Sequence, residues 1–438
     1  MKRQRNLVPR NQRSFLGVLT TLTTLIALGT LTGAGAQTPK VVNLTYWNWG
    51  VEGTQGQIDR FNASHPGIKV TWNKVPSSGF YDKLSTALKA DNAPDVANIE
   101  LQFLPTVIST GGLIDLNKYG VAAYKARFEP WVWNQVALGG STYAIPTDLG
   151  PMGMLYRADL FKKYGVAVPK TWAEYASAAS KLHAADPKLF ITTFAPNDAG
   201  WFSGMAWQSG AKWFEISGDS WKVTINDSAT KRVAQYWQDL IDKKLVKPGP
   251  IWADGWYNDL QTGEVATWLT ASWGTGFLES FAPKTSGNWR VAPLPSWEAG
   301  KSASSNWGGS TTAVTKSSRF PKEATTFALW LGTDLKGSVK PLVKTGAWFP
   351  AVRGAMDSAD LSLASKFYGN QAVNRVFKNA AKVVDTRFQW GPTMSQVYRD
   401  LQDGFGAAVN GKGTLGSVLD TVQESTLAAM RKQGFDVK

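Results

Sequence analysis

The chain is predicted to fold as an α/β protein of two lobes, and three observations predict it. At 438 residues it is long enough for two domains. With 43% apolar and 18% charged residues it can build a sizeable core, which a disordered chain cannot. Strand-like and helix-like stretches also alternate along it, the pattern that builds a mostly parallel sheet flanked by helices.

The elements follow in order. "VVNLTYW" is rich in β-branched and aromatic residues and reads as the first strand. "TQGQIDRFNASHPG" reads as a helix with Ile58 and Phe61 on its apolar face, closed by Pro66 and Gly67. "IKVTWNKV" alternates as a second strand, "YDKLSTALKADNAPD" is a helix, "VANI" a third strand, and "FLPTVISTGG" a helix ending on two glycines. After Pro146 come the helix "TWAEYASAASKLHAA" capped by Thr171, the strand "LFITTF", the helix "ATKRVAQYWQDLIDKKLV" and the strand "EVATWL". Two later helices are "PKEATTFALWLGTD" and "TLGSVLDTVQESTLAAMRKQG". Ligands of open α/β sheets bind beyond the carboxyl ends of the strands, which places "WNWGVEG" on the rim of a crevice.

The N-terminus has the pattern of an export signal. Five basic residues precede the apolar run Phe15 to Leu31, and "AGA" at 34–36 fits a small-x-small cleavage site. Residues 1–36 are therefore expected to be removed, leaving a soluble protein in the periplasm or outside the cell. There is no cysteine for a lipid anchor, and its absence also excludes disulfides, thiolate metal sites and a cysteine nucleophile. Two histidines, His65 and His183, are too few for a histidine-rich metal site, and no cofactor is expected.

Net charge is +14, or +9 once the five basic residues of the signal are gone. Nucleic-acid sites interleave aromatic side chains with Lys and Arg. Here the aromatic clusters "YWNWGVEG", "GWFSGMAWQSG", "ASWGTGF", "SNWGGST" and "QWGPT" contain neither, so nucleic acid is not an expected partner. The basic residues fall in "LFKKYG" and "LIDKKLVK", which read as solvated helix faces.

"YAIP…LYRADLFKKYG…PKTWAEY", together with "FNASHPGIKVTW", "YDKLSTALKADNAPDVANI" and "NWGGSTTAVTKSSRFPKEATTFALWL", resembles the extracellular solute-binding proteins of carbohydrate ABC importers, the family of the maltose-binding protein. The likeness runs over nearly the whole chain beyond the signal. Many members carry Asn where this chain has Arg157, and many have a lipid-bearing cysteine that it lacks. The resemblance implies the periplasmic-binding-protein fold, with residues 37–147 and 289–333 in one lobe and 148–288 and 334–438 in the other. It further implies a carbohydrate ligand in the cleft, an ABC permease as membrane partner, a monomer, and no catalysis. The segment "IPTDLGP" is the expected hinge, with Pro146 and Pro151 stiffening its ends and Gly150 free to rotate.

A sugar ring has a flat C–H face and an edge of hydroxyls, so its site needs rigid aromatic platforms beside fixed polar groups. The 21 tryptophans supply candidates where glycine adjoins them: Trp49, Trp201, Trp273, Trp307 and Trp390. Each has two readings, a cleft wall or a plug in the core beneath a loop. Trp273, which follows "EVATWLTAS", is placed in the cleft by the resemblance. Trp72, Trp237 and Trp330 lie inside regular elements and are expected in the core, and Trp47 is expected to anchor the first strand. The polar candidates are Glu52, Glu100, Gln102 and Asp148, each with a solvated loop position as its other reading. Asp95 is expected to orient a strand end. These residues point to a neutral mono- or oligosaccharide. A secreted glycoside hydrolase and a receptor of the same fold for an anionic solute such as a glycerol phosphate remain as alternatives. A hydrolase requires two carboxyls at set spacing, one with a raised pKa, and an anion receptor requires arginines near the cleft. A metal or polyamine receptor has less support still.

Overall fold

A computed structural model describes residues 41–50, 53–343 and 348–438. The expected signal segment and Glu52 lie outside the described residues.

The first lobe is built on a five-stranded sheet in the order Ile68–Lys74, Val42–Asn48, Val96–Glu100, Ser310–Val314, Ala144–Pro146. The first three strands run parallel, and Ser310–Val314 runs antiparallel to both of its neighbours. Helices cover both faces, which is why Val96, Ala97, Asn98 and Ile99 are all buried rather than alternating. Phe61 of the helix Thr54–Ser64 meets Phe327 at 4.9 Å and Trp330 at 5.3 Å on the helix Pro321–Thr333. As expected, Asp95 orients the strand end it adjoins: just before Val96–Glu100, its carboxylate accepts from the Thr45 backbone N–H of the neighbouring strand at 2.8 Å and from the Ser318 hydroxyl at 2.7 Å.

The second lobe has a three-stranded sheet in the order Thr267–Ala271, Met152–Arg157, Trp289–Pro293, antiparallel throughout. The sequence predicts a mostly parallel sheet here. The reversal follows from the route of the chain. Met152–Arg157 runs away from the lobe boundary, while the other two strands run back to it and deliver Trp273 there. Only Thr193–Phe194 of the expected strand "LFITTF" is regular, paired in parallel with Lys247–Pro248.

Three segments cross between the lobes side by side, near Thr147–Pro151, Asn306–Gly309 and Phe349–Val352. The Leu149 N–H donates to the Phe349 carbonyl at 2.8 Å, the Trp307 N–H to the Gly150 carbonyl at 2.8 Å, and the Ala351 N–H to the Thr147 carbonyl at 3.2 Å. Asn306 clamps two of them, its Oδ1 accepting from the Gly150 N–H at 2.8 Å and its Nδ2 donating to the Gly308 carbonyl at 2.6 Å. Gly150 is required for close approach, since the Trp307 carbonyl occupies the place a Cβ would take. The left-handed backbone of the crossings belongs to Gly308 and Gly309, with φ of +77° and +84°.

Two expected boundaries move. Trp289–Pro293 pairs with Met152–Arg157 and so belongs to the second lobe, which shifts the return crossing from residue 289 to Asn306–Gly309. Past Asp334 the chain still packs on the first lobe, where Ser338 accepts from Gln57 Nε2 at 2.8 Å, and it leaves only near Phe349. Among the described residues no helix is long and apolar enough to cross a membrane.

Candidate functional site

The carboxyl ends of Val42–Asn48 and Val96–Glu100 face the lobe boundary. Asn48 organises the first of them. Its Oδ1 accepts from the Gly50 N–H at 2.8 Å and from the Trp72 indole at 2.8 Å, which fixes the turn beneath Trp49. Trp49 is half-buried, edge-on to Phe80 with ring centroids 5.5 Å apart. Trp47 is half-buried against the core with the Lys83 ammonium 4.8 Å from its ring centre.

Glu100 ends its strand under Tyr81. The Tyr81 hydroxyl donates to Glu100 Oε2 at 3.1 Å and accepts from the Glu100 N–H at 3.0 Å. Burial pushes the Glu100 carboxyl up to about 7. Hydrogen bonds from Tyr81 and Gln102 pull it down, while the charges of Asp148 and Asp198 add to the rise. Asp148 lies in the first crossing and Asp198 caps the helix Ala199–Gln208 in the second lobe, accepting from the Trp201 N–H at 2.9 Å. Burial raises each to about 6 against hydrogen bonds that oppose it, from Ser310 and Thr147 for Asp148, and from Trp201, Trp252 and Gly200 for Asp198. Glu100, Asp148 and Asp198 therefore share one region fed by both lobes and a crossing.

Aromatic rings line the same region. Tyr81 meets Phe103 at 4.4 Å, and Phe103 meets Tyr398 of the second lobe at 5.5 Å, so rings bridge the boundary. Trp273 stands edge-on to Trp307 at 4.6 Å and donates its indole N–H to the Trp307 carbonyl at 3.0 Å. Trp252 lies 6.0 Å from Trp273 and is 37% exposed, and the neighbouring Phe277 is 46% exposed. Trp252 has φ +66°, a strained position for a bulky residue and one that recurs at functional sites.

The sequence candidates separate as follows. Glu100, Gln102, Asp148, Trp273 and Trp307 come together at the boundary. Trp201 is corrected to the core: at 3% exposure its ring packs 5.0 Å from that of Trp237, and its indole donates to the Leu269 carbonyl at 3.1 Å. Trp390 is buried among Trp207, Trp213 and Phe388 with Tyr398 at 6.3 Å, so its ring backs the site instead of walling it. Trp237 and Trp330 are buried as expected, whereas Trp72 is only half-buried. Sequence reasoning missed Tyr81, Asp198, Trp252 and Tyr398. Asp198 stands two residues before the quoted cluster "GWFSGMAWQSG", and Trp252 sits in the Pro- and Gly-bearing stretch "KPGPIWADG", signals that could have marked both. Among the described residues no group of three or more His, Asp or Glu is placed to hold a metal. A separate cavity of about 480 Å³ lies on the first lobe away from the boundary, lined by His65, Tyr124, Arg127 and Trp330 among others.

Known proteins are similar to this chain in sequence or in fold. The arabinooligosaccharide-binding protein of Bacillus subtilis (strain 168) is 27% identical over 337 residues, covering 74% of this chain and 76% of that protein. The lactose-binding protein of Rhizobium radiobacter is 27% identical over 351 residues, covering 75% and 80%. The solved galacto-N-biose-/lacto-N-biose I-binding protein of the ABC transporter from Bifidobacterium longum, in complex with lacto-N-biose, is similar with a TM-score of 0.81 and 30% identity, over 92% of this chain and 100% of that one. Residues 49–334 match the family described as bacterial extracellular solute-binding protein, and the chain belongs to that family.

Proposed function

We propose that this protein is the receptor of an ABC importer, capturing a carbohydrate outside the cytoplasmic membrane and passing it to the permease without changing it. The observation that carries the reading is the joint placement of Glu100, Asp148 and Asp198 with Trp273, Trp307 and Tyr398 where the lobes meet, acceptors for hydroxyls beside rings for C–H faces. The relatives named for arabinooligosaccharide and lactose support the same ligand class. An anionic solute fits poorly, because three carboxyls would face it.

The ligand-binding residues we assign are Trp49, Glu100, Gln102, Asp148, Asp198, Trp252, Trp273 and Trp307, with Glu52 retained from the sequence. The receptor acts as a monomer, since one chain carries both halves of the site. It is released without a lipid anchor after cleavage near Gln37. N-terminal sequencing of exported protein checks that point, and a start at Met1 contradicts it.

Tryptophan fluorescence titration of the exported protein against a carbohydrate panel tests the reading, with saturable binding expected; a micromolar midpoint would correspond to about −8 kcal/mol. Trp273→Ala should weaken that binding by about 2 kcal/mol or more, and unchanged affinity would remove Trp273 from the site. Glycoside hydrolysis is the second reading, favoured by one observation: a carboxyl raised to about 7 near a second carboxyl. Chromatography of the bound oligosaccharide decides between them, and shortened products would establish hydrolysis.

A further inference from the structure

The helix Gly274–Phe281 opens on Trp273 and carries an aromatic ring at every fourth residue: Trp273, Phe277, Phe281. Residues four apart share a helix face, so the three rings stand in a row. Ring centre to ring centre, Phe277 lies 5.9 Å from Trp273 and 5.6 Å from Phe281, and it stacks on Phe281 at 25°. Trp252 flanks the row, 5.5 Å from Phe277 and 6.0 Å from both Trp273 and Phe281. Tyr257 extends it, 4.2 Å from Phe281. The buried Trp256 and Trp268 brace the Trp252 ring at 5.4 and 5.9 Å.

The row is open to solvent, while Gly274, Thr275 and Leu278 are the residues that seat the helix on its lobe. Among the described residues, Trp252 and Phe277 are the only exposed tryptophan and phenylalanine, and they are neighbours. Contiguous exposed apolar surface marks contact sites, whereas single exposed apolar residues are ordinary. Gly276 in the same helix, and Gly255 between Trp252 and Tyr257 in sequence, have open space where a Cβ would stand, so neither crowds the rings.

A second observation concerns the backbone under Trp252. Asn197 pairs with both sides of Ile251, its Nδ2 donating to the Ile251 carbonyl and its Oδ1 accepting from the Ile251 N–H, each at 3.1 Å. This pins the residue before Trp252, whose φ is +66°, and ties its loop to the residue before Asp198. A strained position held in place for an exposed ring points to use of that ring.

We propose that Phe277, Phe281 and Tyr257, with Trp252, form an outer subsite on which an oligosaccharide continues beyond the units held between the lobes. The proposal rests on the carbohydrate reading and narrows it to chains longer than a disaccharide. The row begins at Trp273, whose indole is bonded to the Trp307 carbonyl of a crossing, so a chain seated at Trp273 runs directly onto it. One helical turn advances about 5.4 Å, close to the length of one unit in an extended sugar chain, so successive rings meet successive units. Exposed flat rings suit the C–H faces of sugars, and side chains with two torsions lose little freedom when a sugar settles on them.

The test is titration calorimetry of the full exported protein with the mono- to hexasaccharides of the malto-, cello-, galacto- and arabino-oligosaccharide series. In the series that binds, affinity is expected to rise about tenfold or more from the disaccharide to the tetrasaccharide. Phe277→Ala should remove most of that gain and leave the disaccharide within about twofold of its original affinity. Phe277→Tyr, which keeps a flat ring, should retain the gain, and Phe277→Leu, apolar without a flat ring, should lose it. Equal melting temperatures of the variants verify that they fold, and the length dependence of the unsubstituted protein is a test that needs no variant. Binding confined to mono- and disaccharides, a disaccharide as tight as its tetrasaccharide, or a Phe277→Ala that weakens both equally or neither, overturns the outer subsite and leaves the carbohydrate reading standing. Binding by no member of any series overturns both.

Discussion

Glu100, Asp148 and Asp198 lie in surroundings that disfavour their charge, and this makes stability depend on pH. Glu100 rises from 4.5 to about 7, and the two aspartates from 3.8 to about 6. A carboxyl whose pKa is higher in the folded state stabilises the fold while protonated. That contribution is complete below the unfolded value and is lost as pH climbs through the folded one. The ligand-free protein is expected to lose melting temperature between about pH 4 and pH 7 from these groups, and Glu100→Gln should flatten part of the decline. Thermal scans of both proteins across that range check it, and identical slopes would contradict the assignment. At this scale the sequence was partly legible. Glu100, Gln102 and Asp148 could be picked out because each follows a strand end or the "AIP" segment. The neighbouring glycine alone did not separate Trp201 from Trp273, and it was the resemblance that favoured Trp273; the folded position shows that one indole is used inside the core on Leu269 and the other on a crossing. Tyr398 lies in a helix interior far along the chain, and nothing local links it to Glu100.

The crossings are the elements on which the site depends. Gly150 has the Trp307 carbonyl where a side chain would begin, and Trp273 Nε1 lies 3.1 Å from the same point. Gly150→Ala should therefore force the crossings apart and destabilise the protein by about 1–3 kcal/mol, read by denaturant unfolding. Gly276→Ala, in the helix Gly274–Phe281 with nothing near it, is the comparison and should be neutral or gain up to about 1 kcal/mol. Equal stability of the two variants would show that the crossings yield freely. Helices with local signals were legible in sequence: Thr171 caps Trp172–Ala185, accepting from the Glu174 N–H at 3.1 Å, and Pro321 opens Pro321–Thr333. The lobe boundaries were less so. "NWRVAP" has the same strand pattern whichever sheet it joins, and its pairing with Met152–Arg157 is a long-range choice. Gly150 was expected to serve by rotating, but its visible role is to let two backbones approach.

Over the whole molecule, neither lobe alone holds the site we propose. The first contributes Trp49, Glu100 and Gln102 beside Tyr81 and Phe103, the second Asp198, Trp252 and Trp273 beside Tyr398, and the crossings Asp148 and Trp307. A ligand touching both sides gains most of its contacts only when the lobes are together, so it shifts the population toward closure. Hinge closure around ligands is known for periplasmic binding proteins as a class. The α/β class and the two-lobed plan were visible in the sequence because strand–helix alternation survives local noise, while the antiparallel second sheet arises from the direction in which the chain leaves the crossing. The central claim is that a carbohydrate is held between the lobes and closes them. Small-angle scattering with and without a saturating carbohydrate, identified first by titration, tests it most directly. The radius of gyration should be smaller in the bound state, and an unchanged or larger radius with binding confirmed would contradict closure.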